Sequence, residues 1–297
     1  MPLPFVKAEG TGNDFVVVDL RRDGGAPPAQ AIQDPAIVRQ ICDRHFGVGA
    51  DGVLAILPSA SGDARMRVLN ADGSEAEMCG NGLRCVAKVL YESDPALRRP
   101  TLNIETGAGV LACTLDVAGG AVRDVAEEMG RPRLTRSEIP LAPPGGERAL
   151  REPIRARDRD FRFTAVSMGN PHAVIFVEGD DDLRALAETY GPALEVADRF
   201  PRRTNVEFAR VRGGREIDLV VWERGSGLTL ACGTGACATV VAACLERRLT
   251  PGAETPVHLP GGTLAITVAA DYAGVRLRGP ARIVFTGTLS DAQLQAR

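Results

Sequence analysis

Lysine is almost missing from this 297-residue chain: of 35 basic residues, only Lys7 and Lys88 are lysines. A Schiff-base mechanism has two candidates, neither beside a glycine-rich phosphate cradle, which argues against pyridoxal phosphate. Histidine is nearly as scarce. His45, His172 and His258 are isolated from one another, and no Cys-x-x-Cys pair accompanies them, so the sequence offers no metal site. Apolar runs stay short of the roughly 18 residues that a membrane helix needs, and residues 1–12 lack the charged start and apolar stretch of a secretory signal. The formal net charge of −3 removes the basic face that nucleic acid would require. Seven cysteines make an odd number in a chain too long to need staples, which favours reduced thiols and a cytoplasmic setting over a disulfide framework.

What remains is the composition of a globular protein, 44% apolar and 25% charged, with length for about two domains of roughly 100–200 residues each. An internal repeat organises it. Cys79-Gly80-Asn81-Gly82 and Cys232-Gly233-Thr234-Gly235 lie 153 positions apart, and each opens an apolar run. Gly12-Asn13 precedes the first motif by 67 residues and Gly169-Asn170 the second by 63. Superposing the cysteines sets Asn70 opposite Glu223.

Between the motifs run short β-rich segments: 15–19, 53–57, 66–70 and 110–115, then 173–177, 206–211, 217–222 and 263–268. Glycine, proline and aspartate punctuate them, which favours hairpins over a βαβ series. After the first motif, Leu83, Val86, Ala87 and Leu90 follow helical spacing, with Arg84 and Lys88 on a narrow polar stripe; Ala236–Leu245 is apolar nearly all round and reads as a buried helix. The expected fold is α+β: two pseudo-symmetric domains, each a curved, mostly antiparallel sheet wrapped around one central helix. We expect an N-terminal domain of residues 1–127 carrying Cys79 and completed by 280–297, and a C-terminal domain of 128–279 carrying Cys232. The proline-rich stretch 131–146 is expected to link the halves.

A cysteine at a helix start, followed by glycines, meets free backbone N–H groups and the positive end of the helix dipole, which together favour thiolate. The same amides can hold a carboxylate. Taken singly, such cysteines are more often small buried residues, but their repetition singles out Cys79 and Cys232 from Cys42, Cys85, Cys113, Cys237 and Cys244, which read as core filler. Two thiols facing one carbon from opposite sides would invert it, one removing a proton and the other delivering one, while the amides stabilise the charge that develops on an adjacent carboxylate.

These motifs, with residues 12–19, 43–52, 70–75, 167–172, 204–206, 222–225 and 231–237, resemble the diaminopimelate epimerase family, cofactor-independent two-cysteine isomerases of lysine and peptidoglycan precursor synthesis. The resemblance implies that Cys79 and Cys232 interconvert LL- and meso-diaminopimelate without metal or coenzyme, with His172 and Glu223 supporting catalysis. It places Asn70, Glu223 and the Arg224 backbone near the reacting amine. Gly80, Asn81, Gly233 and Thr234 would surround the reacting carboxylate, while Asn13, Asn170, Asn205 and the Arg224 side chain would hold the distal amino acid group. The related proline racemases and hydroxyproline epimerases share the fold and cysteine pair but lack this asparagine set. A thiol redox protein and a non-enzymatic module binding zwitterionic amino acids are the alternatives from other classes. Two positions depart from some family members: Gly52 stands where they carry glutamine, and Phe285 where a tyrosine serves in dimerisation. A homodimer is the assembly left to test.

Read singly, the residues have structural explanations. Asn13 and Asn70 suit turns, Asn170 precedes a proline, Glu223 and Arg224 suit a solvated strand end, and His172 suits a satisfied core histidine. His45 and His258 are expected to be structural, and Asp51 a loop or cap residue.

Overall fold

The computed structural model describes residues 2–22 and 30–295. The fold is α+β, and the chain divides into two compact units, Met1–Glu127 with Gly279–Arg297, and Glu128–Arg278.

The first unit runs β1 (Leu3–Gly10), β2 (Asn13–Asp19), α1 (Pro35–Cys42), β3 (Gly52–Leu57), β4 (Ala64–Asn70), β5 (Glu75–Ala76), α2 (Gly80–Ser93), β6 (Thr101–Thr106), β7 (Gly109–Ala118) and β8 (Ala121–Glu128). The second runs β9 (Glu152–Ala156), β10 (Arg159–Ser167), β11 (Pro171–Phe176), α3 (Leu183–Glu195), β12 (Asn205–Arg212), β13 (Glu216–Glu223), β14 (Gly227–Leu228), α4 (Gly233–Leu245), β15 (Glu254–Leu259), β16 (Gly262–Val268) and β17 (Val275–Pro280). The last strand, β18 (Arg282–Leu289), pairs antiparallel with β1.

Each sheet repeats the same pairing scheme. A hairpin, β1–β2 or β10–β11, is followed by a parallel neighbour, β2 with β3 or β11 with β12. That strand pairs antiparallel with β4 or β13, which makes a second parallel pair with β6 or β15. Antiparallel β6–β7–β8 and β15–β16–β17 complete the sheets.

The central strands are buried on both faces, which is why their sequences are nearly continuous apolar runs. In β2 and β3, Phe15, Val17, Leu54 and Ile56 pack with Leu83, Val86, Ala87 and Leu90 of α2; the alternate residues Val16, Val18, Val53 and Ala55 pack with Ile37, Val38 and Ile41 of α1. In the second unit Val174 and Ala209 face α4, while Ala173, Ile175, Val206 and Phe208 face α3. Helix α4 is buried from Gly235 to Cys244, as its sequence suggested.

Seven of the eight β-rich segments lie wholly in strands, and 173–177 runs one residue past β11, though the composition left β1, β5, β6, β8, β9, β10, β14, β15, β17, β18 and helices α1 and α3 unspecified. The two helices do carry cap signals: Asp34 accepts from Ala36 N–H ahead of Pro35, and Asp182 accepts from Arg184 and Ala185 N–H. One expectation fails. The stretch 131–146 belongs wholly to the second unit, where Ile139 and Leu141 enter the core and Arg133 bridges to Ser167; two well-placed apolar residues outweigh its proline content. The narrow polar stripe of Arg84 and Lys88 is itself buried, because strands pack over the whole helix; Arg84 is paired with Glu127, and Lys88 with Glu92 and the Val122 carbonyl.

Candidate active site

In the first unit, Cys79 occupies the N-cap of α2 in extended conformation, so its side chain stands beside the free amides of the first turn. Asn13 is delivered to it by the tight β1–β2 turn, in which Thr11 and Gly12 both have positive φ. The Asn13 Nδ2 donates to Asp51 Oδ2 at 2.7 Å, and Asp51 is itself held by Arg44 Nη2 at 2.7 Å. A carboxylate can only accept, so this bond fixes the amide with Oδ1 turned toward Cys79 Sγ, at 3.8 Å, and toward Asn81 Nδ2, at 3.3 Å. Asp51 is thus more than the loop residue expected from sequence. Behind Asn81, the guanidinium of Arg84 donates to Asn81 Oδ1 at 2.7 Å, Thr11 Oγ1 at 3.1 Å and Glu127 Oε1 at 3.2 Å.

In the second unit, Cys232 is the N-cap of α4, and its Sγ accepts from Gly235 N–H at 3.3 Å and lies 3.5 Å from Thr234 Oγ1. Asn170 donates to Thr234 Oγ1 at 3.4 Å while its Oδ1 meets His172 Nε2 at 3.0 Å. The other ring nitrogen of His172 lies 2.7 Å from Glu207 Oε1, and both residues are fully buried. Because Asn170 presents an acceptor to Nε2, the His172–Glu207 contact holds one proton between a ring nitrogen and a carboxyl. Glu223 accepts from Thr229 Oγ1 and faces Cys232. Asn205 ties Pro171 O to Arg224 N–H, each at 2.9 Å.

The residues singled out from sequence therefore fall into two groups. Asn13, Gly80 and Asn81 gather about Cys79, and Asn170, His172, Glu223, Gly233 and Thr234 gather about Cys232, directly or through one intermediary. Asn70 ends β4 with its amide on Ser74 Oγ at 2.9 Å, and the Arg224 guanidinium turns to the Arg202 carbonyl at 3.3 Å; neither touches a cysteine. Gly52 has a packing reason to lack a side chain: a Cβ there would lie 2.7 Å from the Leu69 carbonyl oxygen. Phe285 is half-exposed and meets Phe5 edge-on, with ring centroids 6.0 Å apart. Among the described residues no group of three or more His, Cys, Asp or Glu is arranged to hold a metal ion, and no helix is long and apolar enough to cross a membrane.

Sequence reasoning missed Arg84, Glu127, Glu207 and Thr229. A usable signal existed for Glu207, a lone charge inside the apolar run Val206–Ala209. The thiolate expectation also needs correction. Burial pushes both thiols above the ordinary cysteine value and outweighs the helix amides; at Cys79 the Gly82 and Asn81 N–H groups and the Arg84 charge pull down while Glu127 pushes up, and at Cys232 the Glu223 and Glu207 carboxyls push up while Thr234 and the Gly235 N–H pull down. Burial raises Glu223 and Glu207 as well, and carries Glu127 up to about 7 against the pull of Arg84.

Comparison with known proteins agrees with this architecture. A family model for diaminopimelate epimerase matches residues 5–135 and 164–284. A diaminopimelate epimerase of Pelotomaculum thermopropionicum is 50% identical over 284 residues, covering 95% of this chain and 97% of its own. One from Geobacillus kaustophilus is 47% identical over 283 residues, 95% of each chain. Among solved structures, a hydroxyproline epimerase of Agrobacterium vitis superposes with a TM-score of 0.66 at 17% identity, over 97% of this chain and 91% of that one. A Bacillus anthracis protein of the PhzF phenazine biosynthesis family gives 0.67 at 16% identity, over 98% and 99%. At such identities the structural likeness speaks for the fold alone, whereas the family model and the curated relatives together place this chain in the diaminopimelate epimerase family, a family of isomerases.

Proposed function

We propose that the protein epimerises LL-2,6-diaminopimelate to meso-diaminopimelate by two-base proton transfer at Cα. One observation carries the reading: each unit sets a cysteine as the N-cap of a glycine-flanked helix at the same place in the same strand scheme. The relatives at 47–50% identity bear the same substrate in their names. In the reaction the Cα–H bond breaks as the thiolate of one cysteine takes the proton. The electron pair stays with the carbon and its carboxylate, and the thiol of the other cysteine gives its proton to the opposite face, leaving the two sulfurs with exchanged protonation. No redox change occurs and no coenzyme is required.

In this reading the α2 and α4 amides around Gly80, Asn81, Gly233 and Thr234 stabilise the charge that develops on the carboxylate. Asn70, Glu223 and the Arg224 backbone hold the reacting amine. Asn13, Asn170, Asn205 and the Arg224 guanidinium bind the distal amino acid group, since a doubly zwitterionic substrate calls for neutral amides and one bidentate cation. His172 supports catalysis through Asn170 and Thr234. Two lobes of residues 1–127 with 280–297 and 128–279, a cytoplasmic setting within lysine and peptidoglycan precursor synthesis, and a homodimer complete the proposal.

The test is ¹H NMR in D₂O with LL-diaminopimelate. Loss of the signal at one Cα, with appearance of the meso isomer, is expected, and Cys79→Ala and Cys232→Ala should each abolish epimerisation while retaining the wild-type circular dichroism. Proline and hydroxyproline should exchange nothing. Full activity in either alanine variant would refute the two-cysteine mechanism, and exchange of proline alone would redirect the substrate.

A further inference from the structure

The two cysteine sites are built from the same parts but differ in the placement of one buried acid. Each motif carries a glycine at the first and at the third residue of its helix, Gly80 and Gly82 in α2, Gly233 and Gly235 in α4, with Gly233 and Gly235 each 153 positions after its counterpart. The same flanks of the sheet pack against them. A Cβ at Gly80 would stand 2.9 Å from Glu127 Oε1, and one at Gly233 would stand 3.3 Å from Leu277 Cδ1. A Cβ at Gly82 would stand 3.0 Å from Leu54 Cδ2, and one at Gly235 would stand 3.0 Å from Glu207 Oε1. Strand register gives the same correspondence: Glu127 pairs with Cys113, and Leu277 with Ile266, which is 153 positions on; Leu54 and Glu207 are each the third residue of β3 and β12. The acid therefore flanks the first glycine beside Cys79 and the third glycine beside Cys232, with leucine filling the opposite flank in each case.

The company of each acid differs too. Glu127, from β8, is locked to the fully buried Arg84 of α2, which also reaches Asn81 and Thr11, and these two are the charges that weigh most on Cys79 among the described residues. Glu207, from β12, faces His172 of β11, and its Oε2 has no hydrogen-bond partner; with Glu223 of β13 it makes the surroundings of Cys232 acidic. The net surroundings of Cys79 range from cationic, with Glu127 protonated, to neutral, with Glu127 ionised. Those of Cys232 range from neutral to anionic.

We propose that Glu127 and Glu207 are positioning residues that make two otherwise equivalent cysteines inequivalent, so that Cys79 is the sulfur ionised first and Cys232 the one that holds its proton in the free protein. The inference deepens the two-cysteine reading and rests on it for its catalytic meaning. Neither acid touches the reacting atoms. Each acts through the helix turn it packs on, Glu127 by tempering Arg84 and Glu207 by setting behind the Cys232 sulfur a carboxyl that makes these surroundings anionic once the proton it shares with His172 is lost.

The test is the pH dependence of alkylation of each cysteine by iodoacetamide, followed by peptide mass spectrometry on the intact, folded chain. In the wild type, the Cys79 midpoint should lie below that of Cys232. Glu127→Gln should move the Cys79 midpoint down by about one pH unit and leave Cys232 in place; Glu207→Gln should do the same for Cys232 and leave Cys79 in place. A purely structural role would move neither midpoint selectively. A wild-type Cys232 midpoint below that of Cys79, which needs no variant to observe, overturns the proposal, as does a common shift of both midpoints in either variant. Absence of deuterium exchange into diaminopimelate alongside the expected midpoints would overturn the proposed reaction and leave the inequivalence standing.

Discussion

The His172–Glu207 pair offers a sharp energetic experiment, because the repeat supplies its apolar counterpart. At the corresponding places in the first unit stand Phe15 and Leu54, buried against α2, whereas His172 and Glu207 are fully buried with only 2.7 Å between Nδ1 and Oε1. Replacing His172 by Phe removes the hydrogen-bonding side chain at Glu207 Oε1, while among the described residues Oε2 already lacks a partner. Stranding one member of a buried pair costs about 3–5 kcal/mol. For a unit of this size, that corresponds to a fall in Tm of roughly 10 °C. The penalty has a sign in pH. Glu207 is already raised by burial, and without its partner it is raised further, so the folded variant holds a proton that the unfolded chain releases; its stability should fall as pH rises above the ordinary carboxyl range. The double variant His172→Phe/Glu207→Leu imports the apolar pair and should recover to within about 1 kcal/mol of wild type or exceed it, with no pH dependence beyond that of the wild type. Urea unfolding at pH 5 and pH 8 reads all three proteins. A single variant as stable as wild type at pH 8, or a double variant no better than the single, would refute the account of the pair as a buried, mutually dependent charge site. Both variants should lose epimerase activity, since the double restores packing without restoring the link from His172 to Asn170.

Other outcomes follow from the same geometry. Glu127 is raised to about 7, so the folded state keeps a proton that the unfolded state loses from about pH 4.5 upward; its contribution to stability, up to about 3 kcal/mol, should fade as pH climbs through that window, and Glu127→Gln should flatten the profile measured by thermal unfolding. Asp51→Ala should release the Asn13 amide to flip, lowering kcat/KM by about tenfold with little change in Tm, as for loss of a charged hydrogen bond of about 1.5 kcal/mol. Gly191→Ala should destabilise the second unit by about 1–3 kcal/mol in urea, because its Cβ would sit 2.6 Å from the Trp222 ring, which Glu195 pins through its indole N–H. Gly233→Ala, meeting only the flexible end of Leu277, should fold with near-wild-type stability.

Much of the architecture was legible locally. The segment after Cys232 is apolar on every side and became the buried helix α4, and runs such as 206–211 and 217–222 became central strands because covering both faces demands continuous apolarity. Strands such as β9 and β17 alternate exposed and buried residues with charges on the open side, a pattern too short and too polar to stand out. The stretch 131–146 shows the opposite error: its prolines suggested a tether, yet Ile139 and Leu141 are enough to anchor it to the second unit's core.

By itself the chain determined the repeat, the two cysteine-capped helices and the asparagines that accompany them, because these are written as spacing along the backbone. Only the tertiary structure decided which charges are buried and with whom. Arg84 reads only as part of a narrow polar stripe until β8 brings Glu127 over it, and Glu207 acquires its meaning from a histidine 35 residues away on the neighbouring strand. The same holds for the protonation of the thiols: a helix start favours thiolate through contacts one turn long, but desolvation is set by everything that packs around the sulfur, and here it is the larger effect.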